Sequence, residues 1–154
     1  MSLEFSVDEI KNGDEIPRKY TCDGENLSPG IIISSAPDNA KSLCILVEDP
    51  DAPAGLFVHW VVFNIPPSIR ELKPGMDRSK RRSDGIEQGK NDFGRIGYDG
   101  PCPPKSHGFH RYYFRLYALG AKISISGTAS RQDILREIEG KVIESAEIMG
   151  RYKR

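Results

Sequence analysis

The chain has 154 residues, and its 22 Lys and Arg balance its 22 Asp and Glu, so the formal net charge is zero. This length fits one domain over residues 1–154, with a core that buries roughly 70% of the unfolded surface. The balanced charge argues against a nucleic-acid partner or a general membrane-surface function, because both need an excess of Lys and Arg.

The first half of the chain contains short apolar runs separated by turns. Residues 5–10 and 31–34 are the first two strand candidates. Residues 43–47 form an unbroken apolar run, which is typical of a strand buried on both faces. Two prolines in four residues follow and exclude both a helix and a sheet ladder there. Residues 57–63 are rich in Val and aromatic residues and predict the returning strand.

The second half begins with a long polar segment. Residues 68–72 are expected to form one helical turn, and residues 73–100 a loop of a length that is usually functional or mobile. The basic residues of this loop are expected to form a solvated face; they are Arg78, Lys80, Arg81 and Arg82. After a proline-rich ledge at residues 101–104, residues 112–119 predict an aromatic strand, and residues 123–125 a short one.

The end of the chain predicts a capped helix and a closing strand. Ser130 is followed three residues later by Asp133, which is close to a capping box. Residues 146–152 alternate as a strand does. The positions that recur at helical spacing and predict one buried stripe are Ile134, Leu135, Ile138 and Val142. Many short strands and a late helix favour a mostly-β sandwich with a helix near the C-terminus.

The cellular location is predicted from what the sequence lacks. No apolar run approaches the 18 or so residues that span a bilayer, and the first residues do not resemble a signal peptide. We therefore expect a cytoplasmic protein with no integral membrane segment.

Of the three cysteines, Cys44 lies in an apolar run and is expected in the core. Cys22 and Cys102 lie in loops. In a reducing compartment both are expected to be free thiols, and a disulfide bond between them is the alternative.

Acidic and histidine side chains cluster around the first proline turn, which is formed by residues 49–53. Asp49 and Asp51 sit on this stiff corner, and His59 interrupts the apolar strand that follows. Two carboxylates on a rigid turn near a histidine are a first indication of a site. Spacing alone leaves ordinary roles open for each residue, such as a turn-capping acid or a hydrogen-bonded core histidine.

Three pairs of segments carry a family resemblance. They are residues 20–24 (YTCDG) with 28–29 (SP), 49–53 (DPDAP) with 59–60 (HW), and 100–104 (GPCPP) with 110–112 (HRY). In these segments the chain resembles the phosphatidylethanolamine-binding proteins, also called Raf-kinase-inhibitor-like proteins, in their bacterial and archaeal branch. The similarity runs from about Ile16 to Tyr152, and the last two pairs are highly specific in combination.

The resemblance implies an antiparallel, two-sheet Greek-key β-sandwich with a small anion-binding pocket at one end. Carried over by motif, the ligand-binding residues are Asp49, Asp51, His59, Pro104, His110 and Tyr112. The family binds phosphate-like groups, including phospholipid head groups and phosphorylated side chains, and its members act as inhibitors and signalling proteins. The implied function is therefore small-anion binding without a cofactor, with a kinase or protease as target and a homodimer as assembly.

Two residues depart from the usual family pattern. Ile33 stands where the family often has tryptophan, and Asp99 adds a negative charge beside the expected anion site. Two carboxylates aimed at a dianion would repel it. We therefore expect Asp49 and Asp51 to face the histidines or the backbone. Since His59 and His110 can be protonated near neutral pH, anion affinity is expected to fall as pH rises.

Two hydrolase functions are the alternatives. His107 and His110 have the HxxH spacing of a metal site, which His59 and Asp49 could complete. Cys22 or Cys102 could instead act as a nucleophile beside a histidine. The sequence contains no GxSxG motif, P-loop or dinucleotide fingerprint, so binding without a metal is favoured over catalysis.

Overall fold

The computed structural model describes residues 2–154. In chain order the strands and the α-helix are β1 (Glu4–Val7), β2 (Ile31–Ser35), β3 (Ser42–Asp49), β4 (Phe57–Ile65), β5 (Glu71–Leu72), β6 (Glu87–Gln88), β7 (His110–Leu119), α1 (Arg131–Ile138) and β8 (Val142–Tyr152), and a short 3-10 helix (Arg18–Tyr20) precedes β2. The strands form two sheets, of order β1-β2-β5 and β6-β4-β3-β7-β8, and all neighbouring strands are antiparallel. The prediction of a mostly-β, two-sheet antiparallel fold with a helix near the C-terminus is confirmed.

Strand β3 lies at the centre of the large sheet and is buried along its whole length. Leu43, Ile45 and Val47 face a core between the two sheets. Cys44 and Leu46 point the other way, into a second core that α1 covers. Successive side chains of a strand point to opposite faces, so a strand between two cores is apolar at every position. The prediction of a strand buried on both faces is confirmed.

Helix α1 begins with the expected capping box. The N–H of Asp133 donates to Ser130 Oγ at 3.2 Å, and the N–H of Ser130 donates to Asp133 Oδ2 at 3.0 Å. The helix ends at Ile138, because the chain turns at Gly140, which has a φ of +77° that favours glycine. Val142 therefore starts β8 and is 43% exposed, so its predicted place in the buried helical stripe is wrong. Nowhere between residues 2 and 154 does a helix have the length and apolar character needed to cross a membrane.

Two further local predictions are wrong. Residues 68–72 do not form a helical turn; instead Leu72 pairs with Ile31 and completes the small sheet. Residues 123–125 do not form a strand, and Ile123 packs into the second core from a loop. In both segments tertiary contacts, rather than local pattern, decide the conformation.

The order of the central strands places three motifs at one end of the large sheet. Strands β4 and β7 flank β3 and run antiparallel to it, so the end of β3 lies between their beginnings. Asp49 is the register partner of Phe57, and Glu48 is the partner of Tyr113. The DPDAP turn, the start of β4 and the HRY segment therefore meet.

Candidate functional site

A cavity of about 210 Å³ opens at this end of the large sheet. Its walls come from the ends of β3, β4 and β7, the proline turn after β3, the long loop and the proline-rich ledge. The lining residues are Asp49, Ala52, Pro53, Phe57, His59, Phe93, Cys102, Pro103, Pro104, His110 and Tyr112. Five of the six residues expected to bind a ligand are among them, and their role in binding stays a prediction.

Asp51 is the exception, because its carboxylate is directed at Arg111. The backbone N–H and the Nε of Arg111 both donate to Asp51 Oδ2 at 2.9 Å, and the guanidinium also reaches Oδ1 at 2.8 Å. These bonds from Arg111 lower the pKa of Asp51 to about 2. Asp51 thus fixes the turn to β7 and does not line the cavity.

Asp49 faces a histidine and the backbone, as expected for an acid beside an anion site. Its Oδ1 accepts the N–H of Asp51 at 2.7 Å, and its Oδ2 lies 2.7 Å from His110 Nδ1. Both side chains are almost completely buried. With Asp49 ionised, Nδ1 of His110 carries the proton, and Nε2 is the atom that can change its protonation state.

His59 is held in one orientation by the backbone. Its Nδ1 lies 2.6 Å from the carbonyl oxygen of Asp99, which can only accept, so Nδ1 carries the proton. Every buried side-chain nitrogen or oxygen within residues 2–154 has a hydrogen-bond partner. The Nε2 atom of His59 has no hydrogen-bond partner, so it cannot be one of these buried atoms and must be accessible. The accessible space beside this buried ring is the cavity. Burial lowers the pKa of His59, although the bond to Asp99 and the nearby acids oppose this shift.

Tyr112 contributes a neutral hydroxyl by the same reasoning. Its side chain is buried in the cavity wall, and its hydroxyl has no partner among the described residues, so this group must also be accessible. Burial, reinforced by the charges of Asp49 and Asp51, raises the pKa of Tyr112 far above its ordinary value. The hydroxyl therefore stays protonated and can donate to a ligand.

The remaining wall is apolar and largely aromatic. Phe57 and Phe93 meet edge to face at 4.8 Å between ring centroids, and both approach His59, at 5.1 and 5.6 Å. The His59 ring in turn lies 5.2 Å from Tyr112. Such a wall limits the water around a bound ligand, which strengthens each polar contact inside.

Asp99, the acid that departs from the family pattern, is neutralised by its surroundings. Its buried carboxylate accepts hydrogen bonds from Asn26, Asn91, Arg78 and Arg95, at 2.6–3.3 Å. Burial alone would raise the pKa of Asp99, but the bonds from these partners outweigh it and lower the pKa. Arg78 is exposed, as expected for the solvated loop face, but its guanidinium also pairs with this buried carboxylate.

A disulfide bond joins Cys22 to Cys102, with Cα atoms 5.4 Å apart. The prediction of free thiols at these two positions is therefore wrong. The fold brings the loop before β2 against the proline ledge so closely that a Cβ on Gly100 would lie 1.9 Å from the carbonyl oxygen of Tyr20. Because Cys102 lines the cavity, the bond also fixes one of its walls.

Among the residues that it describes, the structure does not bring together the groups that the two hydrolase alternatives require. The sulfur atoms of Cys22 and Cys102 are bonded to each other, so neither residue is a thiol nucleophile in the oxidised state. Residues 2–154 contain no group of three His, Cys, Asp or Glu side chains arranged to hold a metal ion. His107 and His110 do meet, but through a contact between their ring nitrogens at 2.6 Å.

Sequence reasoning missed several residues of the wall. Ala52, Pro53, Cys102 and Pro103 lie inside the recognised motifs, so the motifs could have indicated them. Phe93 lies in the irregular long loop, where no periodicity marks it.

Comparison with known proteins places the chain among relatives of similar length. The sequence model described as "Phosphatidylethanolamine-binding protein" matches residues 6–153. A UPF0098 protein of Aquifex aeolicus is 48% identical over 153 residues, covering 99% of this chain and 89% of the relative.

Two solved structures share the fold over nearly the whole chain. A phosphatidylethanolamine-binding protein homologue from Chlamydia trachomatis superposes with a TM-score of 0.89 at 37% identity, covering 99% of this chain and 98% of the homologue. YbcL of E. coli, described as a member of the mammalian PEBP family, gives a TM-score of 0.88 at 32% identity and covers 100% and 99%.

Proposed function

The chain belongs to the phosphatidylethanolamine-binding protein family, and we propose that its cavity binds a small anion of the phosphate class. The observation that carries this proposal is the set of polar groups at the cavity: the Tyr112 hydroxyl and the imidazoles of His59 and His110, in otherwise apolar walls. The volume of about 210 Å³ is below the roughly 300–1,000 Å³ of pockets for drug-sized ligands, so the ligand is small.

The charges near the cavity allow an anion to enter. Asp51 is paired with Arg111, and Asp99 with two arginines, so both acids are compensated outside the cavity. Among the described residues that line the wall, Asp49 is the one acid, and its two oxygens already accept hydrogen bonds. Protonation of a wall histidine would balance this remaining charge and supply a charge-assisted donor.

The pH dependence follows from the histidines. An anion binds the imidazolium form better than the neutral form, so affinity rises as pH falls. Because burial lowers the pKa of His59, its share of this rise comes below the ordinary pKa of about 6.5. We expect anion affinity to increase progressively from pH 8 to pH 5.5.

Titration calorimetry with inorganic phosphate and with sulfate from pH 8 to pH 5.5 tests the proposal. Phosphate changes its own charge near pH 7, whereas sulfate remains a dianion, so sulfate reports the protein's protons alone. We expect both anions to bind, and sulfate to bind more tightly as pH falls. A sulfate affinity that is flat, or that increases toward pH 8, would contradict the proposal.

The family resemblance also leads us to expect that the protein regulates a kinase or a protease, and the cavity suggests how such a target would be recognised. A target would be recognised by inserting one anionic group, such as a phosphorylated side chain, into the cavity. Free phosphate should then compete with a phosphorylated peptide, and the unphosphorylated peptide should not bind. This part of the function stays a prediction.

A further inference from the structure

His107 makes a contact that the proposed function does not use. The chain has three histidines, and all three belong to one series of neighbouring rings. Centroids of His107 and His110 lie 4.8 Å apart, those of His110 and Tyr112 6.4 Å, and those of Tyr112 and His59 5.2 Å. His107 is exposed on the loop after the proline ledge, and its Nδ1 lies 2.6 Å from Nε2 of the buried His110.

This contact can exist in only some protonation states. With Asp49 ionised, Nδ1 of His110 is occupied by the proton shared with that carboxylate. A hydrogen bond between His107 Nδ1 and His110 Nε2 needs a proton on one of these nitrogens and a lone pair on the other. When both imidazoles are protonated, two N–H groups and two positive charges face each other at 2.6 Å, so the contact must open.

We propose that His107 is a third anion-contacting histidine, which rests on His110 when the cavity is empty and gains a proton when an anion binds. This inference rests on the proposed function of the cavity. An oxyanion accepts from the N–H groups of both rings at once, so it stabilises the doubly protonated state that the empty site disfavours. The proton comes from solvent, and no covalent bond forms or breaks.

The loop that carries His107 allows this change. Residues 104–109 are all exposed. Gly108 has a φ of +87°, and no atom would meet a Cβ there within 4 Å. Two backbone hydrogen bonds hold the loop, from Ser106 N–H to the carbonyl of Arg154 and from His107 N–H to that of Pro104. Neither bond involves the imidazole, so the ring can leave His110 without disturbing them.

The charges around the two rings are mixed. Asp49 approaches His110 from the end of β3, and Asp51 lies close enough to interact with it from the proline turn. Arg111 follows His110 on β7 and is paired with Asp51. Arg154 donates to the carbonyl of Pro103 and lies close enough to Tyr112 for its charge to act on the hydroxyl. Lys105 lies two residues from His107 in the same loop. Arg151 at the end of β8 and Lys153 after it lie over the ring of Phe109 in the loop that carries His107, at 4.3 and 4.7 Å from the ring centroid.

The test is the slope of log affinity against pH, measured by calorimetry with sulfate for the wild type and His107→Asn. Asparagine can still form a hydrogen bond with His110 Nε2 but does not titrate. For each pH unit that the solution is acidified across the imidazole titration, the wild type should gain up to about tenfold more affinity than His107→Asn. Lys105→Ala is the matched control: it removes a charge from the same loop and should lower affinity at all pH values without changing the slope.

The outcomes separate this inference from the function it rests on. Equal slopes for the wild type and His107→Asn overturn the role of His107 and leave anion binding intact. Absence of sulfate binding by the wild type at every pH overturns both. Proton NMR of the three imidazoles without ligand checks the premise: the His107 and His110 titrations should be coupled in the wild type, and His110 should titrate in one step in His107→Asn. Independent titrations in the wild type also overturn the inference.

Discussion

Each wall histidine has one nitrogen fixed by the protein and another that remains able to exchange a proton. His59 Nδ1 donates to the carbonyl of Asp99, and His110 Nδ1 donates to Asp49. These partners fix both the ring orientation and the tautomer. The second nitrogen of His59 is therefore already positioned for a ligand, whereas that of His110 contacts His107. Asp49 therefore positions His110, Asp51 pairs with Arg111, and neither carboxylate needs to contact the ligand.

Tyr112→Phe isolates a single donor at the site. The phenyl ring keeps the packing against His59 and His110, and the hydroxyl makes no hydrogen bond within the described chain, so the free energy of unfolding should change by less than about 0.5 kcal/mol. Phosphate affinity should fall about tenfold, as expected for a lost hydrogen bond to a charged acceptor. Calorimetry and urea unfolding of the same preparation measure both quantities.

An unchanged phosphate affinity in Tyr112→Phe would show that the hydroxyl does not donate to the anion. Tyr113→Phe is a suitable control, because Tyr113 neighbours Tyr112 but is not part of the cavity wall.

At the scale of elements, the long loop is anchored by one buried carboxylate. Asp99 accepts hydrogen bonds from residues near both ends of the loop, Arg78 and Arg95, and from Asn26 in the loop before β2. Its own backbone N–H donates to the carbonyl of His59 at 3.2 Å, and its carbonyl accepts from the His59 ring. The loop, although irregular, is therefore connected directly to the site.

Asp99→Asn should destabilise the protein because it leaves two guanidinium groups without their buried counter-charge. Removing one partner of a buried ion pair costs about 3–5 kcal/mol, and the partial exposure of Arg78 and Arg95 reduces this to about 2 kcal/mol. The pKa of Asp99 is lowered in the folded state, so its contribution is present above the unfolded value of about 3.9 and is lost as pH falls through the folded pKa.

Urea unfolding of wild type and Asp99→Asn from pH 7 to pH 3 measures this effect. The difference in unfolding free energy should be largest near pH 7 and shrink below about pH 4. Asp38→Asn is the control, because Asp38 is exposed and forms no ion pair among residues 2–154, and it should stay within about 0.5 kcal/mol of wild type. A difference that grows on acidification would contradict the assignment.

The elements that could be predicted from the sequence are those with a clear apolar pattern or a capping signal. Strand β3 is apolar throughout because it separates two cores, and the capping residues Ser130 and Asp133 mark the start of α1. Strand β5 could not be found, since two residues have no periodicity and depend on pairing with Ile31 and Ile32. Within the site, motifs indicated the wall residues of β3, β4 and β7, whereas Phe93 reaches the cavity from a loop that tertiary contacts shape.

At the scale of the whole molecule, a few long-range links connect the layers. Buried Glu48 on β3 accepts hydrogen bonds from Arg115 on β7 and from Arg131 on α1, at 2.8 and 2.5 Å, which ties the helix to the large sheet. The disulfide between Cys22 and Cys102 ties the loop before β2 to the proline ledge across a sequence separation of 80 residues. The first link is electrostatic, and the second is covalent.

The disulfide should be a large single contribution to stability. In the chain-entropy account, closing a loop of this length restricts the unfolded chain, and loss of such a bond costs about 2–5 kcal/mol. The double variant Cys22→Ser/Cys102→Ser should therefore unfold at a clearly lower urea concentration than the wild type. Dithiothreitol should produce a similar loss in the wild type, because Cys22 is an exposed residue.

Two comparisons decide whether that loss belongs to the bond. Dithiothreitol should not affect the double variant further, and Cys44→Ala should keep the full response to dithiothreitol, since Cys44 is a buried free thiol in the second core. The ledge contains three prolines in four residues and can donate few backbone hydrogen bonds, so it depends strongly on the disulfide for its position. Phosphate affinity measured in dithiothreitol should therefore fall together with stability. A wild type whose stability and affinity are unchanged after complete reduction, verified by thiol counting, would show that noncovalent contacts alone hold this wall of the cavity.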